Sequence, residues 1–381
     1  MRFQDIIGHQ QVKQRLIDSV KEGRISHTQL FTGAEGSGNL PMAIAFAQYV
    51  NCLNPTGNDS CGECSQCVKY EKLQHPDLHF SFPVSTNAEV KKNPVSKLFL
   101  SPWREIITET PYFTLTDWQQ KIETENKQLN ISKEESTEII KALQYKAYEA
   151  KYKVMIIWYP EKLHTSAANA LLKILEEPPV KTLFILVAHD TEQLLPTVLS
   201  RTQMVKFPPL PIEELSSVLQ EKENLPGELA LKIAKMSDGN YLQALRLIKF
   251  TEKQQQFFTL FTQWMRMAFK ADVPALIQWT DDLATLKREN IKAFLDYALH
   301  IVRESLAMNY AGEAAVKLTP EEEQFVKKFA PFLLSNNLPD FLNLLSEAHY
   351  HIERNVNPKA VMLDTSLKIT KLLRVNKNIS V

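Results

Sequence analysis

One stretch of the sequence decides the fold, namely Gly33-Ala34-Glu35-Gly36-Ser37-Gly38-Asn39-Leu40, which follows the frame G-x-x-x-x-G-K-[ST] of a phosphate-binding loop. In a working loop, backbone N–H groups surround the phosphates, the lysine contacts the β- and γ-phosphates, and the Ser or Thr holds Mg²⁺. Here Asn39 replaces the lysine, Leu40 replaces the hydroxyl residue, and Pro41 has no backbone N–H. The stretch therefore predicts a nucleotide-binding fold that no longer binds or hydrolyses ATP alone.

Alternating strands and helices surround this loop. Short or continuous apolar runs predict strands at residues 29–32, 154–158 and 183–187. Periodic apolar residues predict helices at 41–49 and 165–177. This alternation indicates a parallel α/β sheet whose ligands would bind at the carboxyl ends of the strands.

The residues that follow the apolar run at 154–157 predict a second loss at the nucleotide site. NTPases of this kind carry an acidic pair there, which serves Mg²⁺ and the attacking water. This chain has Trp158, Tyr159 and Pro160 instead. Glu161 is acidic but lies two places too late, and we expect it to be an ordinary surface residue.

Length and composition set limits on the function. The 381 residues suggest two or three domains. The 44 basic and 44 acidic side chains balance, so the chain is not a generic polyanion binder, although a local basic face is compatible with this balance. No apolar run approaches the ~20 residues of a membrane span, and the first residues do not resemble a secretory signal. We expect a soluble, cytoplasmic protein without a membrane partner.

Four cysteines predict a structural zinc site. Cys52, Cys61, Cys64 and Cys67 have the spacing C-x8-C-x2-C-x2-C, and they are all the cysteines of the chain. Four thiolates can enclose Zn²⁺ tetrahedrally and leave no open position for substrate or water. Disulfides are the alternative, but such crowding would strain their geometry.

The remaining sequence predicts an insertion and a helical second half. Residues 85–130 are irregular, and we expect their aromatic residues to serve local packing rather than base stacking. After residue 208 the apolar pattern is helical throughout. The predicted domains are an α/β domain at 1–208 with the zinc module at 52–67, a small helical lid at 209–250, and an all-helical domain at 251–381.

Several motifs together resemble one family. They are Gly8-His9-Gln10, His27, the four-cysteine spacing, His75-Pro76-Asp77, the stretch from Ala167 to Pro179 (AANALLKILEEPP), Leu199-Ser200-Arg201-Thr202, and Glu353-Arg354-Asn355-Val356-Asn357-Pro358. This set resembles the bacterial clamp-loader AAA+ subunits of DNA polymerase III, over most of the chain apart from the insertion. Thr202 departs from the family's Ser-Arg-Cys motif. The resemblance implies an AAA+ P-loop-type core, a helical lid and an all-α C-terminal collar.

The resemblance also implies roles for particular residues. Arg201, preceded by Ser200, would act in trans as an arginine finger in the ATP site of an adjacent subunit. Leu242 stands where the family's lid carries an arginine, which would be a third loss of nucleotide-sensing chemistry. The chain would then be a non-hydrolysing subunit. It would hold motor and delta subunits together in a hetero-pentamer that loads a sliding clamp on primed DNA.

Two other functions stay open at this point. One is an unconventional ATPase, which Asn39, Leu40, Trp158, Tyr159 and Leu242 all disfavour. The other is a zinc-dependent nucleic-acid-binding module, which the balanced charge and the long helical tail disfavour. We favour a weak phosphate or sulfate site at the glycines Gly33, Gly36 and Gly38 over an unconventional ATPase, because their backbone donors are still present.

Overall fold

The computed structural model describes residues 1–124, 127–312, 316, 318–333 and 337–375. The chain divides into two compact units, Met1–Leu247 and Ile248–Val381. No helix in the described ranges is long and apolar enough to cross a membrane.

The first unit is built on a five-stranded parallel sheet. The strands are β1 (Thr28–Thr32), β2 (Leu78–Ser81), β3 (Lys153–Trp158), β4 (Thr182–Ala188) and β5 (Gln203–Lys206). Their order across the sheet is β2-β3-β4-β1-β5, and each neighbouring pair is parallel. The central strands β3 and β4 are buried along their whole length, as expected of a parallel sheet with both faces covered.

Helices flank the sheet and extend the first unit. They are α1 (Gln10–Lys21), α2 (Asn39–Asn51), α3 (Ser65–Glu71), α4 (Leu100–Glu109), α5 (Leu115–Lys121), α6 (Lys133–Gln144), α7 (Thr165–Glu176), α8 (Pro196–Leu199), α9 (Ile212–Glu223) and α10 (Gly227–Met236). The central helix α2 is buried on all sides, because its sequence from Pro41 onwards is apolar and small. It therefore carries the phosphate-loop residues into the middle of the unit.

The insertion packs on the sheet, as expected from its aromatic residues. Trp103 of α4 stacks on Phe82, with ring centroids 4.0 Å apart, and also contacts Trp158 of β3. Trp118 of α5 is fully buried and donates its indole N–H to the Pro83 carbonyl over 2.9 Å. Burial of these rings confirms that they serve packing, and it leaves them no face for bases.

The second unit is helical. Its elements are the later part of α11 (Tyr241–Lys270), α12 (Val273–Ala284), α13 (Arg288–Ala311), α14 (Pro320–Phe329), α15 (Leu338–Glu353) and α16 (Pro358–Val375). A separate apolar core holds them together, with Phe261, Trp264, Phe294 and Phe341 fully buried. The described part of this unit contains no strand.

The architecture confirms the expected parallel α/β core followed by a mostly helical part. All three predicted strands are present, whereas β2 and β5 were not predicted. Helix α11 runs continuously through residue 250, where the predicted lid would end. The division into three domains stays a prediction.

Candidate functional site: a modified phosphate loop

The loop lies where β1 ends and α2 begins. Gly36 and Gly38 have φ angles of 78° and 89°, in the left-handed region that favours glycine, and Gly38 is the N-cap of α2. A Cβ atom on Gly33 would lie 2.7 Å from the Phe207 carbonyl oxygen, so this position also requires glycine. The backbone shape of a phosphate loop is therefore maintained by close packing.

Asn39 directs its side chain into the protein. Its amide Nδ2 donates to the carbonyl oxygens of Ala188 at 3.2 Å and Gly33 at 3.4 Å, while its Oδ1 accepts from the Leu40 N–H at 3.0 Å. Asn39 and Leu40 are both buried. The two side chains that would meet phosphate and Mg²⁺ in a working loop thus connect the loop to β4 and to the core.

The end of β3 contributes aromatic groups in place of carboxylates. Trp158 is buried in the aromatic cluster with Trp103 and Phe113. The Tyr159 hydroxyl donates to the carboxylate of Glu35 in the loop. Glu35 also accepts from the Leu115 N–H at 3.3 Å, so its carboxylate is bonded both to the insertion and to the residue that follows β3.

The expectation of a surface Glu161 is wrong. Its Oε1 accepts from the backbone N–H groups of His189 at 2.9 Å and Asp190 at 3.3 Å, just after β4, and its Oε2 is buried without a hydrogen-bond partner in the described residues. Burial raises the pKa of this carboxyl group. The turn after β3 brings the Glu161 side chain back to the carboxyl edge of the sheet, next to the end of β4. The position of Glu161 along the sequence does not predict this contact.

His189 is a buried group at the loop that was not predicted from the sequence. Its Nδ1 lies 3.2 Å from the Gly33 carbonyl oxygen, and its Nε2 is buried without a partner in the described part of the chain. Burial lowers the pKa of His189 to about 4, so the ring is neutral at pH 7. Its position directly after a buried strand, at the carboxyl edge of the sheet, is the signal that could have identified it.

The start of α11 covers the loop. The Asn240 amide donates to the Glu35 carbonyl oxygen over 2.7 Å, and a Cβ atom on Gly36 would lie only 2.3 Å from the Cβ of Leu242. Arg246 bonds Asp117 and Thr114 of the insertion, at 2.9 and 3.0 Å. Leu242 therefore packs on the loop backbone and offers no charge to a nucleotide.

Arg201 lies just after α8, and its described partners do not include the loop residues. Its Nε donates to the Glu176 carboxylate at 2.9 Å, and one terminal nitrogen donates to the Thr197 carbonyl oxygen at 2.9 Å and the Ser200 hydroxyl at 3.5 Å. The side chain of Arg201 is 30% exposed and that of Glu176 is 57% exposed. An exposed ion pair of this kind is weak and can exchange partners.

The four cysteines converge, as their spacing predicts. All four Sγ atoms lie within 4.8 Å of one another, with Cys52 and Cys61 3.5 Å apart. A tetrahedral site with Zn–S bonds of about 2.3 Å requires sulfur atoms about 3.8 Å apart, so the cluster fits such an ion, whereas a disulfide needs about 2 Å. Backbone N–H groups of Cys64 and Glu63 lower the pKa of Cys61 to about 6, while burial raises the pKa of Cys52 and Cys67.

The sequence of this chain matches one family of known proteins. Residues 8–211 match the family model described as DNA polymerase III, delta subunit. The chain is 25% identical to DNA polymerase III subunit delta' of Bacillus subtilis, over 92% of this chain and 93% of that protein. It is also 25% identical to the delta' subunit of Escherichia coli, over 78% of this chain and 75% of that protein.

A second kind of subunit is similar over a shorter region. The tau/gamma subunit of Haemophilus influenzae is 27% identical over 64% of this chain, a region that spans only 30% of that protein.

Proposed function

The chain belongs to the family described as DNA polymerase III, delta subunit, and from this membership we propose that it is a non-hydrolysing subunit of a replication clamp loader. Its similarity to both delta' and tau/gamma subunits supports a place among related subunits of one hetero-oligomer. In that assembly it would hold motor and delta subunits together through its helical second unit. The assembly would open a sliding clamp and place it on primed DNA.

One observation carries the non-hydrolysing part of the proposal, namely the engagement of the Asn39 side chain by Ala188 and Gly33. A motor subunit needs a cation at this position and a hydroxyl at the next. The buried Asn39 and Leu40 supply neither, and Trp158 and Tyr159 supply no carboxylate for Mg²⁺. The isolated chain should therefore show no ATP binding by calorimetry at millimolar ATP with Mg²⁺. Stoichiometric ATP binding with Mg²⁺-dependent turnover by the isolated chain would contradict the proposal of a non-hydrolysing subunit.

Arg201 is proposed to act on the ATP site of a neighbouring subunit. A guanidinium group neutralises charge that develops on the γ-phosphate during hydrolysis. The partial exposure of Arg201 and its weak pairing with Glu176 support this role, because a γ-phosphate can compete with one exposed carboxylate. Ser200, which contacts Arg201, would help to orient it.

The experiment that tests this role compares ATPase rates of the reconstituted loader at equal assembly. Arg201→Ala should lower the clamp- and DNA-stimulated rate at least about tenfold without dissociating the complex, since trans arginines contribute large factors to the rate. Lys206→Ala, an exposed cation on nearby β5, is the matched control and should leave the rate unchanged. If the loader with Arg201→Ala hydrolyses ATP as fast as the loader with the control variant, the chain acts only as a scaffold.

The cysteine cluster is proposed to hold a structural zinc ion. The donor set supports this, because four convergent sulfur ligands suit zinc and leave no open coordination position. The backbone N–H groups of Cys61, Cys64 and Cys67 point at neighbouring sulfurs, at 3.3 to 3.5 Å, and stabilise negative charge there. When bound, the ion would stabilise the connection between α2 and α3.

A further inference from the structure

The second unit contains a cavity that the proposed function does not use. It has a volume of about 240 Å³ and lies between α11, α14 and α16. The rings of Phe269, Phe325, Phe329 and Phe332 form most of its apolar wall. Phe269 and Phe332 meet edge to face with centroids 5.1 Å apart, and Phe325 and Phe329 stack on each other at 5.4 Å.

Three cations surround this apolar cavity. Arg266, Lys270 and Lys328 line it and are exposed, and no acidic side chain is among the lining residues. Within the described ranges none of the three has a hydrogen bond or an ion pair. Arg266 and Lys270 lie one turn apart on α11, where two like charges destabilise a helix by a few tenths of a kcal/mol. The chain as a whole is neutral, so this concentration of positive charge is local.

We infer that this cavity binds an acidic peptide segment of a partner protein, with one large apolar side chain inserted among the four phenylalanines and carboxylates paired with Arg266, Lys270 and Lys328. The inference does not depend on ATP chemistry or on Arg201.

The size of the cavity favours a side chain as the occupant. Pockets for whole cofactors or drug-sized ligands usually measure about 300–1,000 Å³, and this one is smaller. A single aromatic or branched apolar anchor in a well-packed pocket is the usual energetic centre of a protein interface. The surrounding cations would then accelerate association and exclude basic partners.

The ring arrangement disfavours a nucleic acid in this cavity. Single-stranded DNA binds to exposed aromatic faces on an open, basic groove. Here the offset stacking of Phe325 and Phe329 covers part of each ring face, and the edge-to-face contact of Phe332 covers part of Phe269. The carboxylates of a peptide complement the three cations as well as the phosphates of a nucleic acid would, and a peptide does not require a free ring face.

A peptide-binding experiment on the full chain tests the inference. The probe is the fluorescein-labelled peptide GSDEDFDESG, measured by fluorescence anisotropy at low salt. Replacing its Phe by Ala should weaken binding about tenfold or more, because burying such a side chain contributes about 1.5–3 kcal/mol. Replacing its acidic residues by Asn and Gln should abolish measurable binding.

Matched variants locate the site on the protein. Lys270→Gln with Lys328→Gln should weaken binding about fivefold or more, since each exposed pair contributes about 0.2–1 kcal/mol. Lys371→Gln with Arg303→Gln removes the same charge from exposed positions of the same unit and should leave the affinity unchanged. All four sites are exposed, so circular dichroism should show intact helices.

Several outcomes would overturn the inference. They are equal binding of the Phe and Ala peptides, equal weakening by the two variant pairs, and no binding at millimolar peptide. Displacement of the peptide by laurate or by an oligothymidylate at lower concentration would assign the cavity to a lipid anion or to nucleic acid.

Discussion

At the scale of single residues, the side chains of the phosphate-type loop bond to the core of the first unit. Asn39 replaces a group that would face a nucleotide with an amide that bonds Ala188 and Gly33. Glu35 and Tyr159 bond each other, and His189 contacts the loop as a neutral ring. Every one of these contacts is internal, so the site contributes to stability.

His189 should make the stability of the first unit depend on pH. Its pKa is about 4 when folded and about 6.5 when unfolded, so the unfolded state binds more protons between these values. Stability should therefore fall as the pH decreases from about 6.5 to 4. At about 1.4 kcal/mol per pKa unit the contribution of His189 is at most about 3 kcal/mol.

Urea unfolding at several pH values measures this effect. His189→Gln should reduce the loss of unfolding free energy between pH 6.5 and 4 by up to that amount. His79, whose pKa burial also lowers to about 4, would maintain part of the slope. His27→Gln, at an exposed position, is the control and should leave the slope unchanged. An identical slope in His189→Gln would show that the ring is not held neutral.

At the scale of elements, the start of α11 and the phosphate loop fit together through Gly36. Its φ of 78° demands a left-handed backbone, and Leu242 and Asn240 occupy the space where a Cβ would lie. Gly57 has a similar φ of 62° but has open space around it. Both glycines have a left-handed backbone, but only Gly36 is in contact with a second element.

This pair allows the contact to be measured. Gly57→Ala should cost about 1–2 kcal/mol of stability, the price of a left-handed alanine. Gly36→Ala should reduce the free energy of unfolding by about 1–3 kcal/mol more than Gly57→Ala does, because α11 must shift to admit the methyl group. Urea midpoints and hydrogen exchange at the start of α11 report both effects. Equal costs for the two substitutions would mean that α11 does not press on the loop.

Elements with strong apolar patterns could be predicted from the sequence, and short or polar ones could not. The buried strands β3 and β4 are continuous apolar runs. The missed strands have only four residues each, and β5 (Gln-Met-Val-Lys) lies at a sheet edge with a single buried residue. Helix α11 continues across the predicted lid boundary at residue 250, because its polar stretch around residues 251–256 is rich in Glu, Lys and Gln, which favour helices.

The site could be predicted in part for the same reason. The loop and the four cysteines are local patterns, so their spacing was sufficient. The contacts of His189 with Gly33, of Asn240 with Glu35 and of Glu161 with the end of β4 join residues from 28 to 205 positions apart. Only the assembled sheet brings these groups together.

At the scale of the whole molecule, two units with separate cores should unfold in separate steps. Scanning calorimetry should show two transitions, and a strong zinc chelator should lower only that of the first unit, because the proposed ion would contribute folding free energy there. Cys61→Ser should act in the same direction, and added zinc should restore the chelated protein. A chelator that leaves both transitions unchanged would argue against a structural metal.

The distribution of tryptophan gives the two units different optical properties. Trp103, Trp118 and Trp158 form one cluster in the first unit, with centroids of Trp103 5.2 and 5.1 Å from the other two. The remaining two of the five, Trp264 and Trp279, stack in the second unit at 5.1 Å and 13°. Indoles this close couple their electronic transitions, and the crossed and the stacked arrangements should give distinguishable near-ultraviolet dichroism. Each unit therefore has its own tryptophan signal, and the unfolding of either unit can be followed without a label.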